Sequence, residues 1–168
     1  MNIAGIVAEY NPFHTGHQYQ IQQTRALLGA DAGVVAVMSG NWVQQANCAI
    51  ADKWTRARLA LLGGADLVLE LPTVWATASA EGFCQGAVDI LIAAGVVDTL
   101  SFGSECGDAE RLEQVAACLS SPEYQTVLKA SLSRGDPYAV CRQKAVKSLL
   151  GPEPSELLST PNNNLGIE

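Results

Sequence analysis

The fold class of this 168-residue chain can be inferred from its opening segment, Ile3-Ala4-Gly5-Ile6-Val7-Ala8-Glu9-Tyr10-Asn11-Pro12-Phe13-His14-Thr15-Gly16-His17. Its first half, residues 2–9, is a continuous apolar run, which predicts a strand buried on both faces. The strand is expected to end at Tyr10-Asn11-Pro12. A helix is predicted from Gly16 to Leu28, because residues recur at three- and four-residue steps and Gly29 can close its end.

The same alternation of strand and helix continues through the first hundred residues. Further strands are predicted at residues 33–38, 66–71 and 96–102, with helices between them. In the helix that ends at Gly63-Gly64, the predicted buried face consists of Ile50, Trp54, Ala57 and Leu61. Short strands alternating with longer amphipathic helices imply right-handed crossovers. The predicted fold class is α/β, with a doubly wound parallel sheet covered on both sides.

No strand is predicted after Ser104. Helical spacing covers residues 108–119, 122–132 and 137–150, and Ser121-Pro122 has the composition of a helix cap and first turn. Residues 151–154 break the last of these helices, and residues 160–164 are rich in turn formers. We therefore expect a nucleotide-binding α/β core at residues 1–107 and a helical extension at residues 108–168, which we expect to be truncated.

Composition excludes several classes of protein. The 10 Lys and Arg against 17 Asp and Glu give a formal charge of −7, which argues against a basic module that coats nucleic acid. With 48% apolar and 16% charged residues, the chain has enough apolar side chains for an ordered core. No apolar stretch is long enough to span a membrane, and the five cysteines lack paired spacing, so we expect a cytoplasmic protein with reduced thiols.

The loop after the first strand is the strongest candidate for a ligand site. In an open parallel sheet, ligands bind beyond the carboxyl ends of the strands. His14 and His17 lie three residues apart at a helix N-terminus with Gly16 between them, a pattern that favours an anion such as a nucleoside triphosphate. Two histidines at the α- and β-phosphates could stabilise charge without a protein nucleophile. The alternative is that they are a helix cap and a half-buried packing residue.

The segment Ile6–His17 resembles the opening motif of the bacterial tRNA(Met) cytidine acetate ligase family, a branch of the nucleotidyltransferase superfamily with a His-x-Gly-His motif. The resemblance continues through residues 38–44, 52–56, 64–72, 102–105 and 161–163. It implies a Rossmann-like nucleotidyltransferase fold and a two-step reaction. ATP and acetate form acetyl-adenylate, and the acetyl group then passes to N4 of the wobble cytidine of elongator tRNA(Met), giving N4-acetylcytidine.

The resemblance also implies which residues bind ATP. The segment Val7–Gln20 would hold the nucleotide, with the histidines on the phosphates and Mg²⁺ as the companion of ATP. His14, His17 and Lys53 are the predicted catalytic residues. The predicted ATP-binding residues are Val7, Ala8, Glu9, Tyr10, Asn11, Pro12, Phe13, His14, Thr15, Gly16, His17, Gln18, Tyr19, Gln20, Gly103, Asn162 and Asn163.

Several of these residues also have a simpler interpretation. Lys53 and Arg56 could stabilise charge at the α-phosphate or could lie on a solvated helix face. Gly103, Asn162 and Asn163 could be turn residues. Trp54 is predicted to be in the core rather than to stack on a base. Glu70 and Glu105, at strand ends, could lie near magnesium or cap helices.

Two departures from the family pattern affect the expected function. Gln45-Ala46-Asn47-Cys48 stands where the family usually has Arg-Gly-Glu-Pro, and Cys48 is expected to be a packed thiol rather than a reactive one. Family members are also more than twice as long, so we expect weak tRNA binding by this chain alone. The alternative functions are a small-molecule adenylyltransferase and a catalytically silent nucleotide-binding fragment.

Overall fold

The computed structural model, which describes residues 1–168, divides the chain into two units, Met1–Phe102 and Gly103–Glu168. The first unit contains a four-stranded, all-parallel sheet with the strand order β3-β2-β1-β4. Its strands are β1 (Ile3–Ala8), β2 (Gly33–Ser39), β3 (Leu67–Leu71) and β4 (Thr99–Leu100). The predicted α/β class with a parallel sheet is confirmed.

Helices alternate with these strands. They are α1 (Thr15–Leu28), α2 (Lys53–Leu62), the short α3 (Thr73–Ala76) and α4 (Ala80–Ala93). The strand order reverses at β1, which has β2 on one side and β4 on the other. Ligands of doubly wound sheets bind at such a reversal, outside the carboxyl ends of the strands, and the loop from β1 to α1 begins there.

The core of the first unit lies between the central strands and helices α1 and α2. Ile6 of β1 and Val34, Ala36 and Met38 of β2 are almost fully buried, as is Ile21 of α1. These residues come from continuous apolar runs, as a strand covered on both faces requires. The two longest strands therefore give the β1–α1 loop a rigid base.

The predicted fourth strand at residues 96–102 is too long. Only Thr99 and Leu100 form the strand, opposite Ala4 and Gly5 of β1. The length of a strand at the sheet edge is determined by how many residues pair with the neighbouring strand, and here two residues do. A run of apolar residues alone does not carry this information.

The predicted buried face of α2 is wrong. Ile50 precedes the helix, and Trp54 and Leu61 are exposed, Trp54 by 76%. The Asp52 side chain caps the helix by accepting hydrogen bonds from the N–H groups of Trp54 and Thr55. The buried residues of the helix are Arg56, which donates to backbone carbonyls, and Ala60. Of the four predicted residues, only Ala57 packs against the core.

The second unit is helical, with no strand. Its helices are α5 (Ala109–Leu119), α6 (Pro122–Leu132), α7 (Tyr138–Leu150), α8 (Pro152–Glu156) and α9 (Pro161–Ile167). The cap predicted at Ser121 is confirmed, because its hydroxyl accepts the N–H of Tyr124. Its core is a cluster of side chains that includes Leu112, Val115, Tyr124, Cys141 and Val146.

Three segments predicted as loops or turns are partly helical. Residues 73–76, 152–156 and 161–167 form α3, α8 and α9. Proline precedes or opens each of them, at Pro72, Pro152 and Pro161. Proline suits the first turn of a helix, because its fixed φ is helical and its missing N–H has no partner there. No helix of the structure is long and apolar enough to cross a membrane.

Candidate functional site

The loop between β1 and α1 begins with an unusual backbone. Glu9 follows the strand directly, and Tyr10 adopts a left-handed conformation with φ of 47°. A non-glycine residue in this region is strained and persists only where its surroundings hold it. The side-chain oxygens of Glu9 and Asn11, on either side, accept the backbone N–H groups of Gln44 and Ile50 at 2.7 and 2.8 Å. Tyr10 is thus held between two fixed neighbours.

His14 and His17 form a reciprocal cap at the N-terminus of α1. The Nδ1 atom of His14 accepts the N–H of Gly16 at 3.1 Å, and the Nδ1 atom of His17 accepts the N–H of His14 at 3.2 Å. The two rings stack with 3.8 Å between their centroids and 26° between their planes. The helix-cap interpretation of the histidines is therefore confirmed, and His17 is half-buried as that interpretation expects.

The cap determines which ring nitrogens carry protons. A ring nitrogen that accepts an N–H must be unprotonated, so a neutral imidazole in this arrangement has its proton on Nε2. His14 and His17 thus each have Nε2–H as the free donor, at a helix N-terminus whose first turn has no acidic residue. The helix dipole and the unpaired N–H groups of that turn also favour an anion. Capping and anion binding use different nitrogens of the same ring and are compatible.

His17 is neutral at physiological pH. Burial, and to a smaller extent the neighbouring His14, together lower its pKa from 6.5 to about 4. A neutral donor forms hydrogen bonds to phosphate without carrying a charge that changes near pH 7. His17 is therefore suited to hydrogen bonding rather than to proton transfer at this pH.

Aromatic side chains fix the position of His17. The ring of Tyr10 lies edge-on to it at 4.8 Å, and Phe13 lies 5.5 Å away. Tyr10 itself is only 1% exposed, and its hydroxyl has no hydrogen-bond partner in the protein. Burial raises the pKa of Tyr10 to about 12. The residue serves as packing beneath the imidazole.

Gly16 is required by the position of His14. A Cβ atom at Gly16 would lie 2.9 Å from Cε1 of the His14 ring, closer than real Cβ contacts. Any other residue there would push the imidazole away from the helix cap. The glycine between the two histidines thus has a packing reason, in addition to the close approach of a phosphate that the sequence suggested.

Helix α2 carries the other predicted cations of the first unit, Lys53 and Arg56. Lys53, the first residue of α2, forms an ion pair with Glu70 at 2.6 Å, and its N–H donates to the side chain of Asn41. Arg56 is fully buried, so the expected alternative of a solvated helix face is wrong for it. Its guanidinium donates only to backbone carbonyls, which are those of Glu9, Ser39, Gly40 and Ala51.

Cys48 is exposed, which corrects the expectation of a packed thiol. It lies in a hairpin-like turn closed by a bridge to Trp42 and by the hydrogen bond from Val43 N–H to the Asn47 carbonyl. Gln45 and Ala46 at the tip have positive φ values of 64° and 55°. Residues 45–48 of the turn, Cys48 included, are exposed to solvent, whereas Val43 is buried.

The remaining predicted ATP-binding residues of the first unit line the same loop and helix. Val7, Ala8, Glu9 and Phe13 are half-buried, whereas Asn11, Pro12, Thr15, Gln18 and Tyr19 are exposed. Gln20 is half-buried and donates to the Ser101 carbonyl beside β4. An open groove of about 520 Å³ runs along α1 and the end of α2 and includes Gln18, but neither histidine lines it.

Gly103, Asn162 and Asn163 belong to the second unit. A Cβ atom at Gly103 would meet no atom within 4 Å. Glu105 accepts the N–H groups of Asn162 and Asn163, which makes it a cap of α9, one of the two roles the sequence left open. Burial alone would raise the pKa of Glu105, but its hydrogen bonds to the backbone have the larger combined effect, so the pKa is lowered. Contacts of the three residues with ATP stay a prediction.

The side chain of Asn163 is engaged within its own unit. Its amide nitrogen donates to the Thr160 hydroxyl at 2.7 Å, and its amide oxygen accepts the N–H of Cys106 at 3.1 Å. The residue is only 3% exposed. Asn162 is exposed. The two adjacent asparagines thus differ in how much of each side chain is left for a ligand.

Two features of this site have no local signal in the sequence. The positive φ of Tyr10 and the burial of Arg56 both depend on residues more than thirty positions apart in the chain, joined only by folding. The cap of α2 at Asp52 did have a signal, because Asp directly before a helix is a preferred N-cap.

The model of one protein family, described as HIGH nucleotidyl transferase, matches residues 1–168. The chain belongs to the HIGH nucleotidyltransferase family. Its His-x-Gly-His motif contains the two histidines that cap the start of α1. This match agrees with the parallel sheet and with the position of the histidines at the strand-order reversal.

Relatives of this HIGH nucleotidyltransferase are named tRNA(Met) cytidine acetate ligase. The proteins of Caldanaerobacter subterraneus subsp. tengcongensis and Clostridium novyi are 47% and 44% identical to it, over the whole of this chain. The alignments cover 42% and 43% of those proteins. The chain therefore spans less than half the length of the curated relatives it matches.

A solved structure has the same fold. The crystal structure of Thermotoga maritima TmcAL bound with alpha-thio ATP matches 99% of this HIGH nucleotidyltransferase with a TM-score of 0.91 and 42% identity. The match covers 42% of the TmcAL chain. The apo form of the same protein gives a TM-score of 0.91 as well. The predicted nucleotidyltransferase fold is confirmed.

Proposed function

We propose that this chain carries the ATP-activating site of a tRNA(Met) cytidine acetate ligase. In this proposal residues 1–107 are the nucleotide-binding core and residues 108–168 a helical extension. ATP and acetate give acetyl-adenylate and pyrophosphate, and the acetyl group passes to N4 of the wobble cytidine of elongator tRNA(Met). The names of the relatives support the reaction, and the alpha-thio ATP in TmcAL supports the nucleotide.

The histidine pair is the observation that carries the proposal. Both Nδ1 atoms are occupied by the helix cap, so both Nε2–H groups are available to a phosphate. The basic side chains of the first unit are Arg25, Lys53, Arg56 and Arg58. Arg25 is paired with Asp66, Lys53 with Glu70, and Arg56 is buried against carbonyls. Arg58 is exposed. At the start of α1 the donors for phosphate are the neutral imidazoles, because the loop before that helix and its first turn contain no Lys or Arg.

The proposed first step needs no protein nucleophile. A carboxylate oxygen of acetate attacks the α-phosphorus, and the bond from that phosphorus to the bridging oxygen breaks, so that pyrophosphate leaves with the electron pair. Charge grows on the phosphate oxygens, and donors that are already in place stabilise it. We assign this role to Nε2–H of His14 and His17, and assign Lys53 to the same charge once it exchanges Glu70 for phosphate.

The proposed second step transfers the acetyl group. The N4 amine of the cytidine attacks the acetyl carbonyl, AMP leaves with the electron pair of the broken bond, and the amine loses a proton. The tRNA would place the enzyme in the cytoplasm. Mg²⁺ would enter with the ATP phosphates, the usual way this ion is bound at such sites.

Exchange of labelled pyrophosphate into ATP tests the first step without tRNA. The protein should catalyse exchange only when acetate is present. In His14→Asn and His17→Asn, the amide oxygen can replace Nδ1 in the cap, but no atom reaches the position of Nε2. We expect each substitution to lower kcat by about 10²- to 10³-fold, as for the loss of one preorganised donor, with the fold intact.

Three outcomes would contradict the proposal. Exchange that needs a phosphorylated acceptor instead of acetate would indicate a small-molecule adenylyltransferase. Binding of ATP without exchange, in a folded protein, would indicate a silent nucleotide-binding chain. Full exchange in both asparagine variants would show that the histidines are a helix cap and nothing more.

A further inference from the structure

Arg56 is a buried cation without a carboxylate partner. It is 0% exposed and is the largest fully buried side chain of the protein. Its Nε donates to the Ala51 carbonyl at 3.1 Å, one terminal nitrogen donates to the Glu9 carbonyl at 2.7 Å, and the other donates to the carbonyls of Ser39 and Gly40. Burial lowers its pKa, while the charges of Glu9, Asp52 and Glu70 oppose that shift.

A buried arginine costs free energy of folding, so its presence indicates a role that an apolar side chain could not fill. A buried charge must recover its lost hydration, and an apolar side chain of similar volume would often stabilise the fold as well. What an apolar side chain lacks is the rigid planar fork of guanidinium, which fixes the spacing of the groups it binds. Here those groups are carbonyls at the carboxyl ends of two adjacent strands, β1 and β2, and just before α2.

The carbonyl of Glu9 connects Arg56 to the histidine site. Glu9 is the residue before Tyr10, whose strained backbone requires fixed neighbours. Tyr10 in turn packs edge-on against the ring of His17 at 4.8 Å. The contacts thus run from the guanidinium to Glu9, then to Tyr10 and to the imidazole. Arg56 itself is buried, and none of its hydrogen bonds is to His14 or His17.

We infer that Arg56 is a positioning residue of the histidine site, which acts through the Glu9 carbonyl and the Tyr10 backbone on the ring of His17. The expected loss of kcat rests on the proposed function, whereas the expected displacement of the His17 ring does not. Without the fork, the Glu9 carbonyl is no longer held, Tyr10 loses one of the contacts that keep its left-handed conformation, and the packing of Tyr10 against His17 changes. The donors for ATP are then present but misplaced.

The test compares three arginine-to-lysine substitutions in the whole protein. Arg56→Lys keeps the charge but removes the fork. Arg25→Lys weakens a similar network elsewhere in the unit, where Arg25 donates to the carbonyls of Ala32 and Gly64 and to Asp66. Arg58→Lys changes an exposed neighbour on the same helix. The readouts are the melting temperature, the imidazole ¹⁵N spectrum, and kcat and KM for ATP in pyrophosphate exchange.

Arg56→Lys should change the His17 ring signals and move its pKa up from about 4. A misplacement of about 1 Å lowers kcat by about 100-fold, and we expect this loss with a much smaller change in KM. Arg25→Lys should lower the melting temperature but leave the ring signals and kcat unchanged. Arg58→Lys should change none of them. Unaltered His17 signals in a folded Arg56→Lys protein would overturn the inference.

If Arg56→Lys does not fold, the inference can be tested on the wild-type protein from the NMR signals of its arginine side chains. Addition of ATP should shift the Nε–H signal of Arg56, which cannot touch the nucleotide, and should leave that of Arg25 unchanged. An Arg56 signal that does not respond, while the histidine signals do, would overturn the inference. Absence of exchange in the wild-type protein would count against the proposed function alone, because the ring signals are measured without turnover.

Discussion

The imidazole rings of His14 and His17 lie 3.8 Å apart, and each uses Nδ1 to accept a backbone N–H at the start of α1. In this arrangement each ring can both cap the helix and bind a phosphate, two roles that the sequence presented as alternatives. A histidine that caps a helix through one nitrogen still has the other nitrogen as a donor. The cap fixes the tautomer and the direction of the donor that a phosphate would meet.

The cap should contribute measurably to stability. We expect His14→Ala to lower the free energy of unfolding by about 1 kcal/mol, the usual cost of losing an N-cap side chain. His14→Asn should cost much less, because the amide oxygen is a good cap acceptor. Urea unfolding followed by circular dichroism checks the difference. Equal losses in the two variants would mean that the ring matters for stability through packing and not through the cap.

Stability should depend on pH through His17. The pKa of His17 is about 4 in the folded protein and near 6.5 when unfolded. The unfolded chain therefore takes up more protons between these values, and the stabilisation is complete above pH 6.5 and is lost as pH falls toward 4. After allowance for solvent screening of a half-buried ring, we expect a loss of about 1 to 2 kcal/mol.

The control for this prediction is His17→Asn, which has no titrating group at the position. Its free energy of unfolding should be flatter than that of the wild type between pH 6.5 and 4.5. The same slope in both proteins would assign the pH dependence to other groups. Asp52, whose pKa is lowered by its hydrogen bonds to Thr55, contributes only at lower pH.

Two buried tyrosines should respond in opposite directions to loss of the hydroxyl. Tyr10 has no partner for its hydroxyl, so Tyr10→Phe removes a desolvated polar group and should leave stability unchanged or raise it by up to about 1 kcal/mol. The Tyr124 hydroxyl interacts favourably with the Arg142 side chain, which opposes the rise of the Tyr124 pKa caused by burial, so Tyr124→Phe should cost about 1 kcal/mol. Denaturant midpoints of the two variants give the comparison. Destabilisation by Tyr10→Phe would mean that its hydroxyl is bonded after all.

Two glycines of the predicted ATP site should differ in their tolerance of a methyl group. Gly16→Ala places Cβ at 2.9 Å from the His14 ring and should displace it, with a cost of about 1 to 3 kcal/mol typical of overpacking. Gly103→Ala meets open space and should change stability by less than about 0.5 kcal/mol. Thermal unfolding measures both. A neutral Gly16→Ala would show that the ring is not held over this position.

The sequence was sufficient for the elements that depend on local pattern. The strands at residues 33–39 and 67–71 and the helices from Ala109 to Leu150 lie within one or two residues of their predicted bounds, since apolar runs and caps determine them locally. The candidate site loop could be chosen from the sequence because both histidines lie between the first strand and the start of the first helix. The family and the fold followed from the motif in that loop.

Other features depend on partners far away in the chain. The inward face of α2 is set by Arg56 and its carbonyl partners, so a hydrophobic pattern that included Trp54 gave the wrong face. The length of β4 is set by its pairing with β1. Ala46 has a positive φ at the position where the resembled family has glycine, and nothing in the local sequence announces that conformation.

The imidazole ¹⁵N spectrum at pH 7, recorded with and without ATP, shows whether the Nε2–H groups of the histidine pair bind the nucleotide. We expect Nδ1 to be the acceptor and Nε2 to carry the proton in both rings, because each Nδ1 accepts a backbone N–H, and we expect ATP to shift the two Nε2–H signals. Protonated Nδ1 atoms, or rings that do not respond to ATP bound by the protein, would contradict this expectation.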